Sequence, residues 1–282
     1  MLMHLIVDIL AFLRQMFTSK RVAFQYQAKR YAKTKNVFVS DGITDINWEK
    51  CPEWINSVIL PYNKITEMNW KGCPEGLEKF TLNHNNLTEM NWENCPKNLT
   101  EMDLSSNQIL KMNWYNSPES LKTFSLTSNQ IIEVNWEHCP RKLRWITLMS
   151  NKITQMNWEN CPKNLEEINL SDNQITELNW KNCPEGLTKI HLSYNQITNI
   201  NWEHCPLNLE LILPTELYIS YQEHKITKAF LDRKVKPLRN CVAEIQANTM
   251  LPPNSKIKVF NLHTYKENFY IMVDEIKTIL TN

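Results

Sequence analysis

Glycine is scarce in this chain of 282 residues, with four copies at positions 42, 72, 76 and 186. Phosphate-cradling loops need glycine for positive φ and close backbone approach, and none of the four forms GxGxxG or a P-loop. GxSxG, HExxH and C-x-x-C are also missing, which removes common local signatures of hydrolases, zinc proteases and dithiol or zinc sites. The seven histidines are scattered at 4, 84, 138, 191, 204, 224 and 263. No enzyme, catalytic residue, cofactor or metal is therefore expected. No apolar run reaches the roughly 18–20 residues of a membrane span, and no nucleic-acid partner is expected, because the basic N-terminal segment, which could attract nucleic acid or an anionic membrane surface, reads rather as a cap with a solvated basic face. The N-terminal apolar stretch is interrupted by Asp8 and closed by Arg14, unlike a secretory signal. The expectation is an intracellular, cytoplasmic protein.

What is abundant is tryptophan, with ten copies, and cysteine, with eight. Trp recurs at 48, 70, 92, 114, 136, 158, 180 and 202, always 22 residues apart and always preceded by Asn. Pro follows each at 52, 74, 96, 118, 140, 162, 184 and 206, and Cys fills 51, 73, 95, 139, 161, 183 and 205, with Ser117 replacing it once. Most of the unusual composition is thus one repeated unit.

Starting at Leu99, the unit reads LTEMDLSSNQILKMNWYNSPES. Apolar residues at its fourth and sixth positions alternate as in a strand with one face inward. Asn at the ninth position (63, 85, 107, 129, 151, 173 and 195) ends that strand. Stacked in register, such an Asn can hydrogen-bond the backbone of its own and neighbouring turns. The Trp indole N–H also needs an acceptor, which loop carbonyls of an adjacent turn can supply.

These seven units match L-x-x-L-x-L-x-x-N-x-I/L, and the sequence resembles the leucine-rich repeat family over roughly residues 38–213, with Phe38, Asp41 and Ile43 as a degraded first turn. The second half, N-W-x-x-C-P, implies extended or turn-like backbone rather than helix. In that it is similar to short FNIP-type repeats, although the FNIP tetrapeptide is absent. The resemblance implies a solenoid with a parallel sheet on its concave side, mostly non-helical convex segments, and helical caps at both ends. Its turns would stack at about 4.8 Å.

The cysteines are read as a row of small buried hydrophobes, favoured over oxidised pairs or metal ligands because no C-x-x-C pair occurs. Residues 1–36 form the first domain. Leu2, Leu5, Ile6, Ile9, Leu10, Leu13 and Phe17 mark one face of an amphipathic helix, and seven basic residues stand against one acidic. A helical cap is the favoured reading. The order Leu5 to Leu13, then Phe24, Lys29 and Tyr31, also resembles a shortened F-box lacking the usual Leu-Pro. That resemblance implies docking to a Skp1-like adaptor and a substrate-recruiting role in a ubiquitin ligase. Residues 37–213 form the solenoid, which is acidic, with 21 acidic and 14 basic residues between 37 and 206. Residues 214–282 read as an α+β cap.

A functional surface is expected where the repeat varies, on the outward positions of the strand segment. The candidates are Tyr62, Lys79, His84, Glu101, Asp103, Trp145, Thr147, Met149, Glu167, Asn169, Asp172, Lys189, His191 and Tyr194. Trp145 is off the 22-residue ladder, and an exposed Trp beside Met149 makes a natural hot spot for a protein partner. The whole reads as a non-enzymatic, monomeric protein-binding scaffold.

Overall fold

The computed structural model describes residues 36–38, 40, 42–48, 51–201, 204–206 and 209–212. The expected caps at 1–36 and 214–282, the F-box-like order, Asp41 and Trp202 lie outside the described residues or, for the first cap, almost entirely so. Among the described residues, eleven three-residue strands and no helix occur, as the N-W-x-x-C-P half of the unit predicts. They are β1 (Asn36–Phe38), β2 (Ser57–Ile59), β3 (Lys79–Thr81), β4 (Glu101–Asp103), β5 (Thr123–Ser125), β6 (Trp145–Thr147), β7 (Glu167–Asn169), β8 (Glu177–Asn179), β9 (Lys189–His191), β10 (Asn199–Asn201) and β11 (Glu210–Ile212). Nine form one parallel sheet in the order β1-β2-β3-β4-β5-β6-β7-β9-β11, and β8 and β10 pair as a separate two-stranded sheet. The topology is a β-solenoid in which successive turns lie side by side.

Between β2 and β9 each paired residue is 22 positions from its partner, as in Met102 opposite Phe124. Both ends of the sheet depart from that count. Val37 pairs with Val58 and Ile190 with Leu211, so each outer register is one residue shorter. A one-residue slip exchanges the faces of a strand. Phe38, which the 22-residue period places inward opposite Leu60, instead pairs with Ile59 and is 47% exposed, while Val37 is fully buried.

The inward positions build a continuous core. Leu60, Leu82, Leu104, Leu126, Leu148, Leu170 and Leu192 are fully buried, as are the preceding Val58 and Ile168, with Phe80, Phe124 and Ile146 nearly so. The Trps of the 22-residue ladder from Trp48 to Trp180 complete it, each at most 2% exposed. Trp48–Trp70, Trp92–Trp114 and Trp158–Trp180 stack at 6.2–6.3 Å, and Phe80 and Phe124 each lean against two indoles. Aromatic pairs in such geometries contribute about 0.5–1.5 kcal/mol beyond area burial. Each indole from Trp70 to Trp158 donates to the carbonyl of the Asn before the next Trp, at 2.6–2.9 Å. Burial of the indole N–H is thereby compensated between turns.

The ninth-position Asn provides a second ladder. Asn107 Nδ2 donates to the carbonyls of Leu82 and Leu104, both at 2.9 Å, and its Oδ1 accepts the Leu87 N–H at 2.9 Å. The same bonds recur at Asn85, Asn129, Asn151, Asn173 and Asn195. Every buried amide thus ties two turns together, which is why the letter repeats.

Scarcity of glycine does not spare the backbone left-handed residues. Among the described residues, thirteen non-glycine residues have positive φ. One set, Tyr62, His84, Ser106, Ser128, Ser150, Asp172 and Tyr194, precedes each ladder Asn at φ 55–57°. The other lies two after the Trp, as Asn94, Asn116, His138, Asn160, Asn182 and His204, with Gly72 in the equivalent place. There the Cys N–H bonds back to the Trp carbonyl, closing a β-turn with a left-handed third residue, where Asn and Gly are least penalised. The Asn before each of five of these Trps and before Trp180 receives the N–H two residues on, so the N-W dipeptide also caps the turn.

Candidate functional site

All fourteen residues singled out from the sequence are exposed or half-buried, on one side of the main sheet. Within a strand the exposed first and third residues flank a buried second, as in Trp145-Ile146-Thr147. The candidate surface is thus the outer face of the same strands whose inner face is the core. Tyr62, His84, Asp172 and Tyr194 stand just past the strands on the left-handed residues that turn the chain toward the ladder Asn.

The face is organised by contacts between neighbouring turns. Lys79 Nζ meets Glu101 at 2.8 Å, Lys189 meets Glu210 at 3.3 Å, and His191 Nε2 lies 3.0 Å from Glu167. The Tyr62 and His84 rings stack at 4.3 Å. Asp103 accepts the Ser105 N–H at 2.9 Å, and Ser105 and Ser125 hydroxyls share a hydrogen bond of 2.6 Å. Thr127 and Thr147 do the same at 3.0 Å. His84 and His191 therefore have separate partners, Tyr62 and Glu167.

Near the middle of the sheet the pattern changes. Trp145 is 51% exposed and Met149, four residues on, is 37% exposed. Beside Trp145 lies an open depression of about 210 Å³, lined by Thr100, Glu101, Lys122, Thr123, Arg144 and Trp145. Arg144 donates Nε to Glu166 at 2.9 Å and is held there by a second bond from Nη2. Lys122 and Arg144 were not among the sequence candidates. Both occupy the second position of the unit, just before the strand, where the other turns carry Asn56, Glu78, Thr100, Glu166 and Thr188. Two successive cations at one repeat position were the available signal.

The thiols belong to the core rather than to a reactive centre. Among the described residues all seven are free, and Cys51, Cys95, Cys139 and Cys205 are buried. Burial pushes Cys51, Cys95 and Cys183 up to about 12, with Glu53 adding to the effect at Cys51 and Lys97 partly opposing it at Cys95. Cys73, Cys139 and Cys161 are raised too, first by burial and then by neighbouring thiols in the column. Among the described residues no group of three or more His, Cys, Asp or Glu is placed to hold a metal ion, and no helix is long and apolar enough to cross a membrane.

Residues 141–197 match the leucine rich repeat family model. No curated protein matches the chain in sequence. Solved structures with a similar fold include YopM from Yersinia enterocolitica, at 20% identity and TM-score 0.49, covering 64% of this chain and 37% of that one. The functional domain of InlJ from Listeria monocytogenes, described as including a cysteine ladder, is 20% identical with TM-score 0.46, over 63% of this chain and 43% of that one. The leucine-rich repeat domain of APL1B is 20% identical with TM-score 0.48, over 69% and 68%. The chain thus spans less than half the length of the first two.

Proposed function

We propose, with the leucine-rich repeat solenoid as premise, that this protein is a non-enzymatic scaffold holding a protein partner on the exposed face of its main sheet. The observation that carries the reading is the contrast within each strand: the inward letters repeat, whereas the outward ones change from turn to turn and culminate in a half-exposed Trp145. A large aromatic near the middle of a surface, rimmed by polar pairs, is the arrangement from which interface hot spots are made. Met149 adds an adaptable apolar contact.

The test is affinity capture from the source cells with the full chain and with its Trp145→Ala, Met149→Ala double variant, read by mass spectrometry. Loss of a specific partner with unchanged folding is the expected result; an unchanged capture profile overturns the site. A second reading draws on the F-box-like order of Leu5 to Leu13, which would make residues 1–36 an adaptor-docking module. Its mark is co-purification of a Skp1-like adaptor that is lost when those residues are deleted.

A further inference from the structure

The depression beside Trp145 has a charge that its surroundings do not predict. The repeats are acidic overall, with 21 acidic against 14 basic residues between 37 and 206. Around the depression the ions cancel in pairs: Glu101 is taken by Lys79 at 2.8 Å, and Arg144 by Glu166 at 2.9 Å. Lys122 is left over, its ammonium making no ion pair among the described residues, exposed at the wall of the same depression. Thr100 and Thr123 complete the lining, although the Thr100 hydroxyl already donates to the Glu78 carbonyl at 3.1 Å. One wall is therefore an indole and another an unpaired cation, backed by a guanidinium held in place.

We propose that this depression anchors an acidic side chain of the partner, an Asp or Glu carboxylate directed at Lys122, presented next to a large apolar residue that lies on Trp145. The proposal rests on the binding-face reading above and names what that face selects. A carboxylate supplies the countercharge that Lys122 lacks, and hydrogen bonds to charged groups are stronger than neutral ones. The indole covers one side of the ion pair, which shields it from water and raises its worth over that of a fully exposed pair. The recognised element is thus short: an acid within about three residues of an aromatic or branched aliphatic side chain, a separation an extended chain spans in roughly 10 Å. A basic segment is disfavoured, because the unpaired Lys122 would repel it.

Selection of random short peptides displayed on phage against the full chain tests this, with Lys122→Glu and Trp145→Ala variants of unchanged unfolding midpoint run in parallel. The wild type is expected to enrich peptides pairing Asp or Glu with a large apolar residue. A selected peptide, made synthetically, should lose about ten-fold or more in affinity on Lys122→Glu and on replacing its acid by the amide, and should weaken as salt rises. Trp145→Ala should remove the apolar preference. Peptides that need Trp145 but show no acid preference and bind Lys122→Glu equally well overturn the carboxylate assignment while leaving the binding face standing. If no peptide is enriched, or those enriched bind the Trp145→Ala, Met149→Ala variant unchanged, both readings fall.

Discussion

The two faces of one strand obey different rules. In β6, Ile146 is 3% exposed and sits in a column occupied by Phe124 before it and Ile168 after it, whereas Trp145 is 51% exposed between Thr123 and Glu167. Inward residues touch the same neighbours in every turn, so the unit admits few letters there. Outward residues meet solvent and one another, so they change without cost to the coil. The difference separates the letters that make the solenoid from those free to serve the proposed recognition.

Substitutions can break the contrast, and the largest effect belongs to the Trp ladder. Trp114→Ala removes a side chain packed on Trp92 and Phe124 and an inter-turn hydrogen bond to Asn135, and should cost about 3–5 kcal/mol in urea unfolding. Next comes Asn107→Leu, which strands the Leu87 N–H and takes from the Leu82 and Leu104 carbonyls one of two amide donors, the other being Asn85 or Asn129. It is expected to lose about 1–3 kcal/mol, read as a shifted urea midpoint. Ser117→Cys restores the repeat letter in a half-buried position and should move stability by less than about 1 kcal/mol. Smallest is Ser128→Gly, which relieves a left-handed backbone at φ 55° without removing a core contact. A gain of up to about 1 kcal/mol is expected, against a loss if the Ser hydroxyl matters more than the backbone.

The cysteine column sharpens the same contrast through pH. Burial holds the thiols protonated in the fold, with Cys51, Cys95 and Cys183 near 12, whereas unfolded cysteine titrates near 8.5. The unfolded chain therefore releases thiol protons first. The thiols favour the native state fully below that range and progressively less as pH climbs from about 8.5 toward 12. Urea midpoints should fall across that window, and a chain with Cys replaced by Ser in the column should show a shallower fall. Alkylation of the native protein at pH 8 should be slow compared with the same chain in urea.

Much of the fold was legible because repetition makes each residue's environment a copy of its neighbour's. The 22-residue spacing locates the Trp, Asn and Leu columns, and the hydrogen bonds expected of Asn107 and Trp114 are those found. The register at the sheet ends was not legible, since Val37 and Leu211 pair one residue short of the 22-residue spacing that the repeat letters follow. Nor was the source of positive φ, because the strain at Tyr62 or His84 is imposed by the turn rather than chosen by the side chain. Fourteen outward residues could be named from alternation alone, but Lys122 and Arg144 could not. They precede the strand, and it is the stacking of turns that carries Lys122 beside Trp145.

The most direct test blanks the outer face while keeping every inward letter. A chain carrying Ser or Thr at Glu101, Asp103, Trp145, Met149, Glu167 and Asn169 leaves the Leu, Ile, Trp and Asn columns intact. Its urea midpoint and its capture of the partner, measured on one preparation, should show a fold within about 1 kcal/mol of the parent and no partner bound. A blanked chain that still captures the partner, or one that unfolds, would contradict the separation of the two faces.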